Sequence, residues 1–119
     1  MNSALMRKVK PGLARHPNEL DRKRIERGLS ARKRYLYVSP NVTPVWGGYC
    51  IESPCCSRNI DKDGALVDVA LILYDGVTGI WKLFRKNHAG GVWEFYSLYH
   101  RLIPAIDELN ADPERLFWQ

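Results

Sequence analysis

The sequence predicts an α+β domain: an N-terminal basic helix, an antiparallel sheet of about five strands, and a C-terminal helix packed on one face of that sheet. Three observations predict it. Charged residues after Asn18 carry a thin apolar stripe at helical spacing. Segments between Arg34 and Tyr96 are rich in β-branched and aromatic residues and are broken by turn chemistry. Leu102, Ile103, Ile106 and Leu109 then return to helical spacing near the end.

Residues 1–17 hold Pro11, Gly12 and Pro17 and no sustained period, so they are expected as a flexible basic arm ahead of one domain spanning 18–119. Asn18 suits a helix N-cap, with Glu19 and Asp21 in the first turn, and the helix is expected from about Glu19 to Arg32. Its apolar stripe is Leu20, Ile25 and Leu29, which makes it a surface helix. "RYLYV" (34–38) and "VWGGYCI" (45–51) have strand composition, separated by a turn region from Pro40 to Pro44. Gly47 and Gly48 mark a bulge or a close backbone approach, and "ESPCCSRNIDKDG" (52–64) is expected as a loop.

"LVDVALILY" (66–74), "GIWKLFR" (79–85) and "GVWEFY" (91–96) form a three-stranded meander with turns at "DGVTG" and "KNHAG". Requiring opposed residues to share a face pairs Leu83 with Trp93, Trp81 with Phe95, Lys82 with Glu94 and Tyr74 with Ile80. Leu71, Leu73, Trp81, Leu83, Trp93 and Phe95 then make the core face. Ala70, Ile72, Tyr74, Ile80, Lys82, Phe84, Val92, Glu94 and Tyr96 make the second face. On this pairing the tryptophans are core rather than a platform for stacked bases, because such a platform keeps aromatics beside cations on an open face. Pro104 is tolerated in the first turn of the C-terminal helix, Asp112-Pro113 ends it, and Leu116, Phe117 and Trp118 are too apolar for a loose tail.

Charge is divided unevenly. Residues 1–34 carry 11 Lys and Arg against 3 acids, and residues 35–119 carry 7 against 10, within an overall net charge of +5. A basic arm on a mildly acidic body suits a polyanionic partner, and equally suits docking against its own body. No apolar run reaches the roughly 18–20 residues of a membrane span, and no signal-peptide pattern opens the chain, so a soluble cytoplasmic protein with no membrane contact is expected. Cys50, Cys55 and Cys56 make no disulfide framework.

These cysteines with His88 or His100 supply zinc-ligand types, but not at a knuckle spacing. Cys55 or Cys56 with His88, oriented by Asp61 or Asp63, is the best arrangement for a nucleophile and base. The Asp61/Asp63 and Asp107/Glu108 pairs fit a turn and a polar helix face, and no phosphate loop, dinucleotide fingerprint or triad motif occurs. The balance favours a non-enzyme with no cofactor and no metal.

"ESP" (52–54), "ALILY", "WKLF" (81–84), "WEFY" (93–96) and "DPERLFWQ" together resemble, in order and spacing, the domain of unknown function DUF3024 over about residues 20–119. The sequence departs from that pattern at Ser53, where Arg is expected, and at Gln119, where Gly is expected. The resemblance implies a small α+β domain of bacterial origin and implies no activity.

Two functions follow as expectations. The first is a binding or accessory module contacting nucleic acid, or an acidic protein, through Arg22, Lys23, Arg24, Arg27, Arg32, Lys33 and Arg34. The alternative is a protein-interaction module, or a homodimer, using Phe84, Val92 and Tyr96 on the second face of the meander.

Overall fold

The structure is a computed structural model that describes residues 15–32, 39–54 and 66–118. Within these, helix α1 (Glu19–Gly28) and a short 3-10 turn (Leu29–Ala31) precede five strands: β1 (Asn41–Val45), β2 (Gly48–Pro54), β3 (Leu66–Asp75), β4 (Ile80–Asn87) and β5 (Val92–Tyr99). Helix α2 (Leu102–Ala111) follows. The strands form one antiparallel sheet in sequence order, β1-β2-β3-β4-β5, with both helices on one face. This is the expected α+β class.

Asn18 caps α1 by accepting from the Asp21 N–H at 2.7 Å. The buried stripe runs Asp21, Ile25, Leu29 at four-residue spacing, and Leu20, expected on that stripe, is 73 % exposed because it lies one position off it. The "RYLYV" segment lies outside the described residues. The Pro40–Pro44 region, expected as a turn, contains β1. Pro44 is tolerated there because β1 is an edge strand among the described residues. The chain reverses at Trp46-Gly47, where Gly47 has φ of +80°, and Glu52, Ser53 and Pro54 continue β2 instead of opening a loop. Gly48 is the position where a side chain is excluded, since a Cβ there would lie 2.0 Å from the Ile72 carbonyl oxygen.

The register of the meander differs from expectation. Ile80 pairs with Asp75, and Tyr74 with Trp81, one residue away from the expected pairing. A slip of one exchanges the faces of a strand, so Ala70, Ile72 and Tyr74 join Trp81 and Leu83 on the helix side while Leu71 and Leu73 point the other way. In the second hairpin, β4 runs on to Asn87, whose side chain accepts from the Gly90 N–H at 3.1 Å. This tightens the turn and pairs Lys86 with Trp93 and Phe84 with Phe95. A bulge at Tyr96 then shifts the rest, so that Leu83 meets Ser97 and Trp81 meets Tyr99. Trp81 is therefore core, whereas Trp93 and Phe95 are on the opposite face.

Ile25, Leu29, Leu102, Ile106, Leu109, Phe117 and Trp118 pack against Tyr49, Ile51, Ile72, Trp81 and Leu83 to make the core. Two devices close it. Asn110 Nδ2 donates to the Gly28 carbonyl at 2.8 Å, joining α2 to the end of α1. Asp112, in the left-handed region at φ of 37°, is buried and receives three backbone N–H groups: Leu116 and Phe117 at 2.9 and 3.2 Å on Oδ1, and Trp118 at 2.9 Å on Oδ2. The chain end is thereby folded under the helices, where Trp118 Nε1 donates to the Leu109 carbonyl at 2.8 Å and the Arg32 guanidinium lies 5.4 Å from the indole centre.

Of the segment expected as an arm, residues 15–17 are described. The His16 side chain is 3 % exposed, with Nδ1 2.6 Å from the Tyr49 hydroxyl, 3.3 Å from Asn18 Nδ2 and 3.7 Å from Asp21 Oδ2. The rings of Tyr49, Tyr74 and Trp81 surround it, with centres 5.7, 4.5 and 4.7 Å away. Burial lowers its pKa below the usual histidine value, with the Asp21 charge acting weakly in the other direction.

Two predictions follow from this packing. Asp112→Ala leaves buried N–H groups without acceptors and should lower unfolding free energy by about 3 kcal/mol or more in a denaturant titration, with Asp112→Asn losing less. Because His16 titrates lower when folded than when unfolded, its contribution is fully present above a pH of about 6.5 and is lost as pH falls through the window below it. His16→Gln should flatten that acid-side loss in stability measured against pH, leaving the smaller slope due to His88, whose pKa burial also lowers.

Candidate functional site

The basic helix and the open sheet face were the two sites expected from sequence, and the structure treats them differently. On α1, Arg22 is held by Glu19 at 2.6 Å and by Glu26 at 3.2 Å, and Arg24 by Asp21 at 2.6 Å. Arg32 is buried, donating to the Leu29 carbonyl at 2.9 Å beneath Trp118. Lys23 and Arg27 are exposed and four residues apart on one stripe. Lys33 and Arg34 lie outside the described residues. Helix α1 itself carries four cations and three acids, so it is close to neutral.

Phe84, Val92 and Tyr96 do not share a face. Tyr96 alternates with Val92 and Glu94 onto the helix side, where its hydroxyl donates to Glu108 Oε2 at 2.5 Å and its ring meets Phe117 edge-on at 5.0 Å. The Glu108 carboxylate that accepts this bond holds the phenol proton, pushing the Tyr96 pKa upward. Val92 pairs with Asn87 at the hairpin end, on the same side as Tyr96. Phe84 alone of the three points away from the helices.

Three cross-strand rows cover the face that Phe84 occupies. The central row is Thr43, Cys50, Leu71, Phe84 and Phe95, with Phe84 and Phe95 in an edge-to-face pair at 5.7 Å. One flank holds Leu73, Lys82 and Leu98. The hairpin tip beside it presents Trp46, 98 % exposed, over a shallow depression lined by Gly47, Leu73 and Lys82. The other flank holds Glu52, Asp68, Lys86 and Trp93. Phe95 is 55 % and Leu98 52 % exposed. The sequence signal for this surface was the alternation in "WKLF" and "WEFY"; the first was assigned to the right sides, and the second to the wrong ones because the β4–β5 register was not visible.

The polar flank has its own electrostatics. Cys50 Sγ and one oxygen each of Glu52 and Asp68 lie within 4.8 Å of one another. Thr43 Oγ1 donates to Glu52 at 3.0 Å, and Lys86 Nζ lies 3.1 Å from Asp68 and 4.8 Å above the Trp93 ring. Burial, then the Asp68 and Glu52 charges, push the Cys50 thiol up to about 12. Lys86 answers the Asp68 charge, and the raised pKa keeps the Cys50 thiol protonated and weakly nucleophilic near neutral pH. Cys55, Cys56, Asp61 and Asp63, the other members of the zinc and nucleophile sets, lie outside the described residues. His88 and His100 stand at opposite ends of β5. With Cys55 and Cys56 changed to Ser, Cys50 should react with iodoacetamide at pH 8 more than about a hundredfold slower than free cysteine, as followed by mass spectrometry.

Among the described residues, no helix is long and apolar enough to cross a membrane. Neither a curated protein nor a solved structure matches the chain. A family model described as "Domain of unknown function (DUF3024)" matches residues 13–119, a stretch that includes the His16 anchor, the whole sheet and the Asp112-bound chain end. The chain therefore belongs to the DUF3024 family.

Proposed function

We propose that the chain is a non-enzymatic protein-interaction module that presents the open face of its sheet to a protein partner. The observation that carries this is the apolar strip of Leu71, Phe84 and Phe95, flanked by Leu73 and Leu98, lying away from both helices with Phe95 and Leu98 half exposed. Burying each such side chain is worth about 1.5–3 kcal/mol, and contiguous apolar surface of this kind marks contact sites. The charges beside the strip, Lys82 and Lys86 against Glu52 and Asp68, balance one another. A balanced rim suits a protein surface better than a phosphate backbone, which calls for net cation.

A second reading keeps the polyanion contact expected from sequence. It is supported by the exposed Lys23–Arg27 stripe and by the 11 basic residues within the first 34.

Affinity capture from a cell lysate separates the two, using wild type, Phe84→Ser/Phe95→Ser, and Lys23→Glu/Arg27→Glu, each checked for an unchanged thermal unfolding profile. Loss of a specific bound protein by at least about tenfold with the first variant alone is expected, since aromatic anchors dominate interfaces. Retention of that protein by the Phe84/Phe95 variant would sink the proposal. Loss of labelled RNA or DNA binding with the Lys23/Arg27 variant, with a steep salt slope in wild type, would establish the second reading instead.

A further inference from the structure

The two edges of the sheet are built differently. β1 is five residues long and contains Pro44, which has no N–H to offer a neighbour. β5 is eight residues long and contains neither proline nor lysine. Exposed strand edges carry unpaired N–H and C=O groups, and proteins commonly block them with such residues. Among the described residues β5 is bonded to β4 alone. Its sole charged side chain, Glu94, lies on the helix side and is held by Arg85 and by Asn87. The exposed Phe95 and Leu98 lie on this same strand.

We infer that β5 pairs with β5 of a second copy of this chain, antiparallel about a two-fold axis. The two sheets become continuous, and Phe95 and Leu98 of both copies meet on the open face. This rests on the open face being an interaction surface, as proposed above. A second copy fits this edge for two reasons. An antiparallel strand is self-complementary in its hydrogen bonds under a two-fold, and the bulge at Tyr96 lies at mid-strand, so the segments on either side of it exchange across the axis. The edge also presents no uncompensated charge, so identical edges meet without repulsion, whereas an acidic or basic partner finds nothing there to match. An eight-residue edge is about 27 Å long, which places the contact at the small end of specific interfaces, with dissociation in the micromolar range.

Sedimentation equilibrium of the chain from about 1 μM to about 1 mM tests this, together with hydrogen exchange at the two extremes. The mass should rise from one copy to two, and amide exchange in 92–99 should slow at the higher concentration. Leu98→Lys and Phe95→Lys, each confirmed folded by its thermal profile, should raise the dissociation constant by at least about tenfold. Leu20→Lys on exposed α1 should leave it unchanged. One copy at every concentration, a dimer indifferent to both β5 variants, or growth beyond two copies would overturn the inference. A monomer that still captures its protein through Phe84 and Phe95 overturns the second copy alone; a monomer that captures nothing overturns the surface itself.

Discussion

The carboxylate of Asp112 is the constraint on which the core depends. A helix end leaves its last carbonyls unmet and its chain free to leave in any direction. Here the chain leaves α2 through a left-handed residue, and the side chain of that same residue takes three N–H groups from the following turn. A carboxylate accepts several hydrogen bonds without strain, and charge-assisted bonds are stronger than neutral ones. Phe117 and Trp118 are consequently delivered under the helices as fixed pieces of the core. Arg32 rests on Trp118, and Asn110 reaches back to Gly28. Both helices and the inner sheet face thus meet at a chain end that one side chain holds in place.

Local chemistry was legible in the sequence wherever one residue does one thing. Asn18 caps, Asp112-Pro113 stops α2, and Ile25, Leu29, Ile106 and Leu109 are buried at the spacing that marked them. What escaped was set by how the chain folds back on itself, close by in one case and far off in the other. The Asp112 carboxylate acts on residues four to six positions later, and composition does not show such a loop closing. His16 was placed in an arm because nothing nearby in sequence hints at the Tyr49–Tyr74–Trp81 pocket that receives it.

Register was the costliest omission, because strands have a period of two and an odd error inverts a face. Turn length and bulges decide register, and neither is written in hydrophobicity. Extending β4 to Asn87 moved Trp93 and Phe95 from the expected core to the open side, and the bulge at Tyr96 then brought Leu98 to that side as well. The aromatic pattern therefore has two roles. Trp81, Tyr96 and Tyr99 are held against the core, and Phe84, Trp93 and Phe95 are displayed.

The displayed set is more than leftover apolar surface. A sheet face meant only for water would alternate polar residues along each strand. Leu71 and Leu73 on β3, Phe84 on β4, and Phe95 and Leu98 on β5 instead keep apolar side chains on that side. Charges are present, but Asp68 is answered by Lys86, and Lys86 in turn lies on Trp93. An internally balanced flank exerts little attraction on a distant polyion, so an interaction module of the kind proposed would gain its contact at short range through shape and apolar area. Aromatic rings suit that task, since each buries a large surface while ordering few rotatable bonds. The basic residues on the opposite side are partly spent on Glu19, Asp21 and Glu26 of their own helix. On the described surface, the unmet physical demand is apolar rather than electrostatic.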